Sequence, residues 1–191
     1  MRAIKRAERF SELPEGRRYI GVVTDLRTGS LSDLSVAIVG GALADMVLLQ
    51  ALEAHRNRVA QSGADGFPRK IPREFGLRID LGGRAGLYGR WVHEELHTIR
   101  EIRNAAAHGI EVFDFSDQMI NGHTSELRFG GPRFGLSGRP APVTSRQRFV
   151  QALEMVTQLL ITDITYRAHG FRTERLIRAG GAPVLKAPRG R

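Results

Sequence analysis

The chain has 191 residues, no cysteine, and 29 lysines and arginines against 20 aspartates and glutamates, for a formal charge of +9. Residues 1–127 carry 17 basic and 17 acidic side chains, so the whole excess lies in residues 128–191, which carry 12 and 3. The missing cysteines exclude a disulfide framework, thiol catalysis and thiolate-ligated zinc, while 41% hydrophobic content over this length supports one core with extensions.

The first fourteen residues are basic and contain no apolar run, so they do not read as a secretory signal. Pro14 to Arg27 reads as a first helix ended by Thr28-Gly29. Ser30 or Ser32 then offers an N-cap for a long helix reaching about Asn57. Residues 35–52 are the most apolar stretch, but Asp45, Gln50 and two glycines interrupt it, which favours a buried core helix over a membrane span. The expectation is a cytoplasmic protein with no membrane partner.

Residues 61–73 read as a loop, and residues 74–89 stay ambiguous because Gly82-Gly83 weaken a helical pattern. Trp91 to His108 is a clear helix with Gly109 placed just past its end. Phe113 to Ile120 suggests a short element capped at Ser116. Residues 122–143 are rich in Gly and Pro and repeat Arg128-Phe129-Gly130 as Arg133-Phe134-Gly135. Thr144 with Gln147 forms a capping-box pattern before a helix to about His169, whose apolar stripe is Phe149, Leu153, Val156, Leu160 and Ile164. With few strand signals the fold class is all-α, a helical bundle. It forms one domain over residues 1–170 (core about 20–168), followed by a basic, partly disordered extension over 171–191.

Two charges fall on predicted core faces. On the 91–108 helix the apolar arc is Val92, Leu96, Ile99, Ile102 and Ala106, and Arg103 lies inside it. On the 32–57 helix the arc is Leu34, Ile38, Leu48, Leu49 and Leu52, with Asp45 near its middle. A lone desolvated charge costs several kcal/mol. Asp45 and Arg103 are therefore expected to meet or to line one internal polar site, unless both reach solvent.

On the other face of the 91–108 helix, His93, His97, Asn104 and His108 share a sector of roughly 60°, flanked by Arg100 and Glu101. They read as ligands, acid/base groups or a solvated face. His93-Glu94-Glu95-Leu96-His97 also fits H-E-x-x-H, whose imidazoles one turn apart hold zinc while the glutamate serves a metal-bound water. The extended zinc-peptidase pattern fails, because Arg100 and Arg103 stand where Gly and a third His belong. The nearby downstream carboxylates Glu111, Asp114 and Asp117 follow too closely to supply a ligand. His93 and His97 are thus weak metal candidates, a zinc peptidase ranks third among the functional readings, and no cofactor is expected.

The run Ile99-Arg100-Glu101-Ile102-Arg103-Asn104-Ala105-Ala106-Ala107-His108, followed by Phe113, resembles the signature of the bacterial mannitol operon repressor family. Ser32-Asp33 through Asp45 resembles that family's long helix, and Phe75 to Gly89, with Gly86-Leu87, its intervening segment. The resemblance covers about residues 20–160, with Ala106 where the family favours an aromatic. It also touches the wider HEPN superfamily through the R-x4-H core. It implies a HEPN-like helical bundle, often dimeric, acting as a regulator. Its alternative is a metal-independent endoribonuclease in which Arg103 stabilises the scissile phosphate, His108 acts as acid/base and Asn104 supports them. Read structurally, Arg103 would instead pair with Asp45, and His108 would cap its helix through the dipole.

In the basic third, Arg172, Arg175 and Arg178 recur every three residues, and Lys186, Arg189 and Arg191 continue the charge. Phe129 and Phe134 alternate with Arg128, Arg133 and Arg139, a mixture suited to base stacking and phosphate contact. Expected partners are RNA or DNA through this region, a second copy of the chain, or another protein. Asp45, His97, Arg100 and the three tail arginines are the binding candidates, and no base-reading motif accompanies them.

Overall fold

A computed structural model of the chain describes residues 14–63, 66–108, 113–131 and 144–167. These residues form six helices and no strand: α1 (Pro14–Thr28), α2 (Asp33–Gln61), α3 (Phe75–Arg84), α4 (Arg90–His108), α5 (Gln118–Glu126) and α6 (Ser145–Arg167). The all-α expectation holds for them.

The helix ends follow local chemistry. Proline opens α1, where its missing N–H is harmless, and Gly29 in the left-handed region (φ +75°) closes it. The Ser32 hydroxyl accepts the Ser35 N–H at 3.2 Å and starts α2. At α6 the capping box is reciprocal: Gln147 N–H donates to Thr144 Oγ1 (3.2 Å), and Thr144 N–H to Gln147 Oε1 (3.1 Å). The expected element at 113–120 is shifted. Asp117, not Ser116, caps α5 by accepting the Met119 and Ile120 N–H groups, while Ser116 N–H is already held by Asp114 Oδ1. The helix also continues through Gly122 to Glu126, which composition assigns to a loop.

The core lies where α2, α4 and α6 pack together, with α3 on α4, α5 bridging α4 and α6, and α1 on α6. Leu48, Leu52, Leu96, Ile99, Ile102, Phe149, Leu153 and Val156 are fully enclosed. The predicted stripe of α6 is buried from Phe149 to Leu160, with Ile164 half-buried. The predicted arc of α2 is corrected. Its buried face is Val36, Ala37, Gly40, Gly41, Leu43, Ala44, Val47, Leu48, Ala51 and Leu52, so Leu48 and Leu52 are placed as expected, whereas Leu34 is 44% exposed. Small residues win because they let two helices approach closely: a β-carbon on Gly40 would lie 2.8 Å from the Phe149 ring. Asp45 consequently sits at the margin of the face, not at its middle. α2 is the one described helix long and apolar enough to cross a membrane, and half of its most apolar window is buried in the bundle.

Partly buried polar pairs set the remaining register. Arg27 grips the Glu154 carboxylate with two N–H groups, and Tyr19 bonds Thr157 at 2.8 Å, fastening α1 to α6. Arg146 reaches Asp33 at 2.8 Å, joining α6 to the start of α2. Gly109, residues 132–143 and everything beyond Arg167 lie outside the described residues. So do Arg133, Phe134, Arg139, Arg172, Arg175, Arg178, Lys186, Arg189 and Arg191, and the expected boundary near residue 170.

Candidate functional site

The polar face of α4 is organised by α3, which packs beside it in the opposite direction. Gly76, Asp80 and Gly83 share one face of α3 at helical spacing. Arg100 lies over Gly76, and His93 over Gly83: β-carbons there would stand 2.8 Å from Arg100 Nη1 and 3.0 Å from His93 Cδ2. Asp80, between the glycines, meets both imidazoles of the H-E-x-x-H pattern. His93 Nε2 and His97 Nε2 lie 3.2 and 3.3 Å from the same Asp80 Oδ1. The glycines that made 74–89 ambiguous are thus contact positions. Gly82 serves the same purpose for Tyr88, whose hydroxyl donates to Ile79 O at 2.6 Å.

Desolvation pushes the Asp80 carboxyl up, but the bonds from His93 and His97 and their charges outweigh it and hold it below the usual carboxylate range. All three side chains are partly exposed, and their donor atoms lie within 4.8 Å of one another. His93 and His97 edge a cleft of about 330 Å³ that Glu94, Glu95, Thr98, Glu126 and Arg128 complete. Glu94, the glutamate a peptidase would use, is engaged by Arg90 (2.5 Å) and Arg128 (3.2 Å), and its carboxyl is held low, first by the Arg90 bond.

One turn further along, a second group forms around Asp45. Arg78 of α3 donates to Asp45 Oδ2 at 3.0 Å and to Arg73 O at 2.5 Å. Asp45 and Arg103 do not bond directly, because Arg78 holds the carboxylate, but Arg103 stands close enough for its charge to act on Asp45. Burial raises the Asp45 pKa, and the charges of Arg78 and then Arg103 oppose that rise. The Arg103 stem packs on Gly41, where a β-carbon would be 2.5 Å from Arg103 Cβ and Cγ, and its guanidinium donates to Asn104 Oδ1 at 3.2 Å. Arg100 Nη2 lies 3.7 Å from Glu101. Asp45 Oδ1, Arg78 Nε and Arg100 Nε are buried without a hydrogen-bond partner. His108 is exposed at the end of α4, and no bond joins it to Arg103. The 60° sector therefore divides into an imidazole–carboxylate group, an arginine–asparagine group and a solvent-facing histidine.

Two expectations for the basic loop are altered. Phe129 is 5% exposed and belongs to the core, so it offers no face to a base. Arg128 lies over the Trp91 ring, 5.6 Å from its centre, and faces Glu94. Behind them Glu95 enters the core, accepting the Arg128 and Phe129 N–H groups at 3.1 and 2.9 Å, and burial raises its pKa to about 7. Asp80, Arg78 and Glu95 were not singled out in sequence. The signal for Asp80 was present in Gly76-x3-Asp80-x2-Gly83, a small-residue helix face with one carboxylate at its centre.

Comparison with protein-family models, with curated proteins and with solved structures finds no match, so the site is read from its own chemistry.

Proposed function

We propose that the chain is a cytoplasmic regulator of the mannitol operon repressor type, with a HEPN-like fold, that holds the phosphate backbone of a nucleic acid at the cations of α3 and α4. The supporting observation is that three arginines lie on the adjoining faces of α3 and α4, Arg78 and Arg103 beside Asp45 and Arg100 against Gly76, with Asn104 next to Arg103. Guanidinium groups in excess of carboxylates, on rigid helices and partly open to solvent, are chemistry suited to phosphate. The basic residues 171–191 add non-specific attraction, and a second copy pairs on the exposed apolar stripe of α2, Val39, Ala42 and Met46.

The test is fluorescence anisotropy with labelled RNA and duplex DNA, comparing the wild type with Arg100→Ala/Arg103→Ala. The expected result is at least a tenfold weaker affinity in the double variant, since each lost charge-assisted bond contributes about 1.5–3 kcal/mol. Equal affinity, in a variant that retains its helical circular dichroism, rejects the reading.

The exposed His108 imidazole supports a second reading, the metal-independent endoribonuclease. Within one chain Arg103 and His108 do not meet, so this activity joins the Arg103 of one protomer to the His108 of another. Cleavage of RNA that survives EDTA and is lost in His108→Ala selects it, and intact RNA under the same conditions removes it.

A further inference from the structure

We propose that Asp80, His93 and His97 form a binding site for a divalent first-row transition cation of the zinc class, fastening α3 to α4. The inference stands on the geometry of these two helices and holds whether or not the chain binds nucleic acid. Three observations carry it.

The first is spacing. The two oxygen–nitrogen separations are 3.2 and 3.3 Å, and all three donors fall within 4.8 Å of each other. Ligands about 2.0–2.1 Å from zinc at tetrahedral angles stand about 3.3 Å apart, so both Asp80 edges already have the required length. The second is the donor set. Two imidazoles and one carboxylate suit zinc, cobalt or nickel, whereas magnesium and calcium prefer oxygen alone. The third is the backing. His93 and His97 are one turn apart on α4, and the absence of a side chain at Gly83 leaves room for the His93 ring against α3. Asp80 stands on a separate rigid helix, so the ligands are held before the ion arrives.

Binding uses the lone pairs on the two Nε2 atoms. Each neutral imidazole moves its proton to Nδ1, and an imidazolium releases one to solvent. The remaining coordination positions face the cleft and take water. Arg90 and Arg128 hold Glu94, the glutamate of the H-E-x-x-H pattern, so the site is assigned a structural or metal-sensing role.

The experiment uses the full chain, stripped with EDTA and dialysed, then titrated with Zn²⁺ in a calorimeter and with Co²⁺ in a spectrophotometer. The expected result is one cation per chain and an intense Co²⁺ visible spectrum unlike that of the hydrated ion. Affinity should fall at least about a hundredfold in Asp80→Asn and in His97→Gln and stay unchanged in the remote His123→Gln. A Co²⁺ spectrum identical to the hydrated ion, or binding equal in all variants, overturns the proposal. Should a variant lose its helical signal, the wild-type Co²⁺ spectrum remains decisive.

Discussion

Glu95 shows how a single carboxylate can couple the fold to pH. It is 2% exposed on α4, and both its oxygens accept backbone N–H groups from the 128–129 turn. Gln151 holds that turn from the other side, donating to Phe129 O at 2.8 Å. Burial lifts the folded pKa from the usual 4.5 to about 7. The folded chain therefore binds the Glu95 proton more tightly than the unfolded chain. The resulting stability is full below about pH 4.5 and is lost as the pH rises through about 7. The loss is on the order of 3 kcal/mol, at 1.36 kcal/mol per pKa unit. Urea denaturation across pH 4.5 to 8 should show this decline in the wild type and a flatter profile in Glu95→Gln. Parallel profiles would place the titration elsewhere.

At the scale of elements, glycines decide which helices approach closely, and two substitutions should have opposite signs. Gly41→Ala places a β-carbon 2.5 Å from Arg103 Cβ and Cγ, and Cβ is bonded directly to the backbone of α4 and cannot swing aside. Crowding of this kind costs about 1–3 kcal/mol, more than the roughly 1 kcal/mol of helix propensity that alanine contributes. Gly122 lies within α5 with nothing near its missing β-carbon, so Gly122→Ala should stabilise by about 0.5–1 kcal/mol. Chemical denaturation of both variants checks the pair, and stabilisation by Gly41→Ala would contradict the close approach of α2 and α4.

The same distinction explains what was legible in sequence. α4 and α6 were readable because large apolar residues at helical spacing mark their buried faces, and Thr144 with Gln147 announced the start of α6. On α2 the large residues were a partial guide: Leu48 and Leu52 are buried, but Gly and Ala share the packed face with them and Leu34 points outward. For the site, His93 and His97 could be paired from spacing alone because one helix carries both. Asp80 and Arg78 could not be joined to their partners, because those contacts depend on how α3 lies along α4. Nor does composition distinguish a phenylalanine that stacks on a base from one that enters the core, as Phe129 does.

For the whole molecule, the partition of charge and the position of the polar groups tell one story. The +9 lies in residues 128–191, whereas the cations of the proposed phosphate site belong to a body whose charges balance. The excess can attract a polyanion at long range, and the α3–α4 cations can hold it by contact. These contributions separate in their dependence on salt. The central measurement is the slope of log affinity for duplex DNA against log salt concentration, in the wild type and in Arg100→Ala/Arg103→Ala. Each phosphate neutralised contributes about 0.9 to the slope. If α4 holds phosphate, the double variant's slope is shallower by about 1.8 while that carried by residues 171–191 persists. Identical slopes, with both proteins folded, would place the nucleic acid elsewhere and contradict the account.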